Sequence, residues 1–136
     1  MNREIKFRGL VADEVNTWVY GYLVANNIIS QVEEREEGKC CGIGTFIVIP
    51  ETIGQFTGLK DTAGKEIYEG DLLKYQDGDS EVSEIDEVFY NEDYGTFEVA
   101  INRNIKDTEV LGFYLSRLNV NTKYEVIGNI YEAEDD

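Results

Sequence analysis

The apolar residues of this chain come in short runs with mostly the period of strands, broken by Gly, Asn and Asp, and that rhythm constrains its fold more than any other feature. Ile5-Lys6-Phe7-Arg8 alternates first. Trp18-Val19-Tyr20-Gly21-Tyr22-Leu23-Val24 follows, rich in the aromatic and β-branched residues that suit a pleated surface. Asn26-Asn27 signals a turn, after which Ile28-Ile29-Ser30-Gln31-Val32 returns as a hairpin partner. The polar run Glu33-Glu34-Arg35-Glu36-Glu37-Gly38 reads as an exposed loop. Phe46-Ile47-Val48-Ile49 is a short buried strand that stops at Pro50, the single proline, which cannot donate to a ladder.

The second half repeats this pattern with closer spacing. Thr52 to Leu59 reverses through Lys60-Asp61-Thr62-Ala63-Gly64-Lys65 into Glu66-Ile67-Tyr68, and Glu69-Gly70-Asp71 introduces Leu72-Leu73-Lys74-Tyr75. Val82, Ile85 and Val88 stand three apart, as on a helical face. A strand is still preferred there, because Val88-Phe89-Tyr90 can pair with Thr96 to Ile101 across a turn holding Asn91 and Gly95. Gly112 to Leu118 reads as a short helix or irregular crossover, and Tyr124 to Tyr131 as the last strand. The expected fold is mainly β, with a β-rich α+β fold as the alternative. Its expected parts are a small N-terminal sheet over residues 1–51 and an SH3-like barrel over 52–136, since closing a sheet removes edges open to other chains.

Charge and composition narrow the function. At 136 residues the chain should bury roughly 65–70% of its unfolded surface. Its 12 Lys plus Arg against 28 Asp plus Glu leave a net charge of −16, which repels a phosphate backbone and argues against direct nucleic-acid binding. It contains no histidine, which removes Ser-His-Asp and Cys-His catalysis and HExxH metalloprotease chemistry. Cys40 and Cys41 are adjacent, with Cα atoms about 3.8 Å apart against a usual disulfide range of about 4.4–6.8 Å, so reduced structural thiols are expected. No apolar run suggests a signal peptide or a membrane span, and the expected location is the cytoplasm.

Several motifs start and fail. Gly58 and Gly64-Lys65 suggest a P-loop, but five residues separate the glycines instead of four and Glu66 stands where Ser or Thr is needed. Gly42-Ile43-Gly44 opens a GxGxxG pattern that Ile47 breaks. An EF-hand starting at Asp77 would need Gly and Glu where Val82 and Val88 stand. Glu84, Asp86 and Glu87 offer carboxylates for a two-metal hydrolase, and Glu4-Ile5-Lys6 has a carboxylate-x-Lys spacing, but nothing completes either site. No catalytic residue, cofactor or metal is therefore expected.

Two groups remain as candidate contact surfaces. Lys65, Glu66, Glu69 and Asp71 sit beside tight turns and can form an interaction loop. The alternative is that they simply make the turns. Between Tyr75 and Asn102 there are nine acidic residues and no basic one. Asp77, Asp79, Glu81, Glu84, Asp86 and Glu87 can form a surface for a basic partner, spaced like DNA phosphates, or a merely solvated face. Trp18, Tyr20 and Tyr22 share the parity of one strand face and can anchor an interface or pack a core.

Four segments carry a resemblance: Lys6-Phe7-Arg8-Gly9; Thr52 to Asp61; Gly64-Lys65-Glu66-Ile67-Tyr68-Glu69-Gly70-Asp71; and Val126-Ile127-Gly128-Asn129-Ile130-Tyr131. In order and spacing they resemble the YopX-like proteins of phages and prophages. The resemblance implies a small cytoplasmic phage or prophage protein, predominantly β and able to self-associate, and it implies no established activity or catalytic residue. The expectation is a non-catalytic accessory protein acting through protein contacts: a homo-oligomer, with a basic host or phage protein as partner. The alternatives are an acidic DNA mimic that inhibits a host DNA-binding protein and, less favoured, a divalent-metal-dependent hydrolase.

Overall fold

The structure, a computed structural model, describes residues 4–35, 39–77, 84–116 and 122–132. The chain folds as two compact units, Met1–Phe56 and Thr57–Asp136. Both are built from antiparallel strands, and the fold is mainly β.

In the first unit β1 (Phe7–Leu10), β2 (Trp18–Ala25), β3 (Ile28–Arg35) and β4 (Lys39–Ile47) pair in the order β4-β3-β2-β1, and β1 also pairs with the start of β5 (Gly54–Lys60). Period-two alternation puts Val19 inside the sheet, where it packs with Val11, Ile29 and Val48, and Phe7, Phe46 and Ile53 close around them. Gly21 interrupts an otherwise bulky strand for a steric reason: a Cβ there would lie 2.2 Å from the Ser30 carbonyl oxygen. The expected loop over residues 33–38 is corrected in part. Glu33–Arg35 and Lys39–Cys41 continue the β3–β4 ladder, because ladder bonds join peptide groups whatever the polarity of the side chains. Residues 36–38 lie outside the described residues. Cys40 and Cys41 fall in β4, opposite Glu34 and Glu33.

Just after their ends, β1 and β4 meet again. Val11 pairs with Val48, the Ala12 N–H donates to the Ile47 carbonyl at 2.9 Å, and the Ile49 N–H donates to the Leu10 carbonyl at 2.8 Å. Pro50 opens a 3-10 turn, Pro50–Thr52, as a residue without an N–H can at a first helical position. The Thr52 hydroxyl accepts from the Leu10 N–H at 2.9 Å and donates to the Ile49 carbonyl at 2.6 Å.

The second unit takes the rest of β5, its neighbour β6 (Glu66–Tyr68), and a five-stranded sheet. That sheet comprises β7 (Asp71–Asp77), β8 (Glu84–Asn91), β9 (Thr96–Ala100), β10 (Thr108–Val110) and β11 (Thr122–Asn129), in the order β10-β9-β8-β7-β11. A short helix α1 (Leu111–Ser116) directly follows β10. Ile67, Leu73, Val88, Val99, Leu111 and Tyr114 form the buried core. β8 is a strand, as the hairpin argument required: the Asn91 carbonyl accepts from the Gly95 N–H at 2.8 Å. The sheet is open, with β10 and β11 as its edges and no ladder joining them among the described residues, so the closure of an SH3-like barrel is not seen. Among the described residues no helix is long and apolar enough to cross a membrane.

Candidate functional site

The turns of the Lys60–Asp71 segment are built by carboxylates accepting backbone N–H groups. Asp61, only 7% exposed, accepts from the Ala63 and Lys65 N–H groups through Oδ1 at 2.9 and 2.8 Å, and from the Val126 N–H through Oδ2 at 3.0 Å. Gly64 has φ +87, a left-handed conformation that L side chains rarely adopt. Asp71 is buried, and its Oδ2 accepts from the Tyr68 N–H at 2.7 Å. Lys65 is exposed, while Glu66 and Glu69 are half-buried. Glu66 accepts from the Tyr68 hydroxyl at 3.2 Å. The four loop candidates are therefore not displayed together.

The acidic stretch also divides. Asp79 and Glu81 lie outside the described residues, and Asp77 ends β7 opposite Thr122. Along β8 alternation puts Asp86 and Val88 on one face, and both are fully buried. Glu87 points the other way and pairs with Arg103, Nε to Oε1 3.0 Å, an exposed contact of small energetic weight. Glu98 is buried too and accepts from the Thr96 hydroxyl at 2.7 Å. At the N-terminus Lys6 pairs with Glu4 at 3.2 Å and lies over the Phe56 ring, which accounts for the carboxylate-x-Lys spacing.

Asp86 is the centre of the densest polar arrangement. Its Oδ2 accepts from the Tyr114 hydroxyl at 2.5 Å and its Oδ1 from the Asn102 N–H at 2.9 Å. Asn102 and its neighbour Arg103 both have left-handed backbones, φ 54 and 61. Asn tolerates that conformation and Arg does so at a cost, so the contacts of Asp86 and Glu87 brace a strained turn. Burial, and then the hydrogen bond and charge of Asp86, push the Tyr114 phenol far above its ordinary range. Tyr114 thus stays protonated and donates permanently; it has no tendency to act as a base or nucleophile near neutrality. Among the described residues no group of three carboxylates or thiols is arranged to hold a metal.

Glu84 lies beside this centre. Its carboxyl is raised above the ordinary range, chiefly by burial and then by Asp86, with Asp107 adding to the effect. The folded state therefore holds this proton more tightly than the unfolded chain does. Ionising Glu84 costs stability above the ordinary carboxyl value, and acidification through the raised value removes that cost. Glu84→Gln should raise the melting temperature at neutral pH, with the gain shrinking as the pH falls toward about 4, below the ordinary carboxyl value. An equal gain at both pH values would refute this assignment.

On the first unit, β2 carries exposed apolar side chains past Val19: Tyr20 is 43% exposed, and Tyr22 and Val24 are each 59% exposed. Trp18 is half-buried, with the Arg8 guanidinium 4.9 Å from its ring centroid. From the sequence Asp61 reads only as a turn residue, and nothing there points to Asn102, Arg103 or Tyr114. The Asp61–Gly64 spacing was a readable signal, whereas nothing local marks Tyr114 as the partner of a residue 28 positions away.

The family model described as YopX protein matches residues 6–134, so the resemblance carried by four segments extends over nearly the whole chain. Comparison with curated proteins gives no match.

Proposed function

This chain belongs to the YopX family, and on that premise we propose that it is a phage- or prophage-encoded accessory protein of the host cytoplasm that works through protein contacts, including contacts with its own copies, and not by catalysis. The observation that carries this reading is the exposed row Tyr20, Tyr22 and Val24 on β2. Large apolar side chains grouped on a strand face are a cost in water unless another surface covers them, and tyrosine anchors interfaces at little entropic cost. The Tyr114–Asp86 pair fits the same reading, because both side chains are buried and their hydrogen bonds are spent on bracing a turn.

The DNA-mimic alternative needs spaced, exposed negative charges, and the burial of Asp86 and Glu98 takes two of them away from the surface. Protein contact through β2 is the better supported reading. Its test is sedimentation velocity on the native chain and on a Tyr22→Glu/Val24→Glu variant. The native chain should sediment as an oligomer at micromolar concentration and the variant as a monomer with an unchanged melting temperature. Identical profiles would remove β2 from the interface.

A further inference from the structure

We infer that a groove beside the end of β4 receives an extended, basic peptide segment of a partner protein as an added strand; this rests on the reading that the chain acts through protein contacts. The groove has a volume of about 440 Å³, and Val11, Thr45, Phe46 and Ile47 line it together with the loop residues Asp13 and Glu14.

From Thr45 back to Ile43 the backbone is prepared for strand addition, whereas beyond it the Ile47 carbonyl and the Ile49 N–H are taken by Ala12 and Leu10. The Ile47 carbonyl accepts from the Ala12 N–H, so it points away from β3. Peptide groups alternate along a strand, and the β3–β4 register is regular from Ile28↔Ile47 through Val32↔Ile43. The N–H and C=O of Thr45 and Ile43 therefore also point outward, and β4 is the edge of its sheet. Edge strands are ordinarily blunted by charge, proline or a bulge. Here Ile43 to Ile49 contains no charged residue, no proline before Pro50 and no register shift; the shift between Val32 and Glu33 makes Gly42 the extra residue of β4, just before that regular stretch. Ile47 is 59% exposed, and Thr45 is exposed as well.

Charge selects the occupant. Asp13 and Glu14 are exposed on the groove wall, and neither makes an ion pair among the described residues. A second copy of the chain would bring its own net charge of −16 to this wall, whereas Lys or Arg flanking an apolar strand would meet both carboxylates. The recognition is thus main-chain pairing along β4 with cationic side chains set against Asp13 and Glu14.

The test is fluorescence anisotropy on the full chain with a labelled synthetic peptide of about eight residues alternating valine and lysine. Its controls are a valine–glutamate peptide and a valine–lysine peptide N-methylated on alternate amides. Thr45→Pro removes an outward N–H and none of the β3–β4 hydrogen bonds, and proline is tolerated at such an edge position; Asp13→Lys/Glu14→Lys changes only exposed side chains. Each variant should weaken the valine–lysine peptide at least about tenfold, and neither control peptide should bind. Equal binding of the glutamate peptide, or unchanged binding after Thr45→Pro, would overturn the inference. So would assembly of the native chain that Thr45→Pro abolishes without any peptide binding, since the occupant would then be a second copy. Assembly that is lost in Tyr22→Glu/Val24→Glu while no peptide binds defeats this site and leaves the broader reading standing. Peptide binding without β2-dependent assembly does the reverse.

Discussion

Asp86→Ala should lower the stability of the second unit by about 3 kcal/mol or more, the largest effect expected of any polar substitution in it. The side chain is fully buried and accepts from both the Tyr114 hydroxyl and the Asn102 N–H. Removing it leaves two buried or part-buried donors unpaired, at about 1–3 kcal/mol each, and takes away a brace of the left-handed turn. Relief of the repulsion with Glu84 offsets part of the loss. Tyr114→Phe should cost about 2 kcal/mol, because the carboxylate keeps only its backbone donor. The double variant should cost less than the two single losses combined, with a coupling of about 1–3 kcal/mol. Because the chain has two units, the appropriate measurement is native-state hydrogen exchange, following the core amides of β8 and β9 in each variant. Native-like protection in Asp86→Ala would show that the pair does not hold this region together.

The second large effect is expected at Asp61. Asp61→Ala removes acceptors for three backbone N–H groups, two inside its own turn and one on β11, and should cost about 2–3 kcal/mol. Asp61→Asn should recover only part of this, because an amide keeps one of the two oxygens and brings an NH₂ to face a donor. The informative readout is position-specific. Faster exchange at Val126 as well as at Ala63 and Lys65 would mark Asp61 as a link between the turn and β11. Faster exchange confined to the turn would reduce it to a local element. The Thr62 hydroxyl, which donates to the Tyr124 carbonyl at 2.9 Å, makes the wider effect the expected one.

These two carboxylates show how legible the chain was. Asp61 stands three residues before Gly64, and that spacing alone announces a tight turn. What it could not announce is the third donor, Val126, 65 residues away. Asp86 is legible only as one acid among many, since the stretch from Asp77 to Glu87 holds six acids and no base and nothing sets one of them apart. On β8 a two-residue period separates Asp86 from Glu87, sending one into the core and the other to Arg103. Asp71, read as a loop residue, is likewise enclosed once its carboxylate bonds the Tyr68 N–H. β10 is not legible in the sequence: Thr108–Val110 has little strand pattern of its own and owes its conformation to the ladder with Glu98–Ala100.

What the sequence determined by itself is the set of local choices. Period-two apolar runs, with Asn, Asp and Gly between them, place most of the strands and turns, because side-chain parity and backbone φ depend only on neighbours in the chain. Four dispersed segments were also enough to identify the family. Tertiary structure alone decided which acids are buried, that the second sheet stays open, and that β4 ends beside an acidic groove. Each of these depends on contacts between residues far apart in sequence. Burial is set by what a neighbouring strand or helix brings up against a side chain, and no local pattern carries that information.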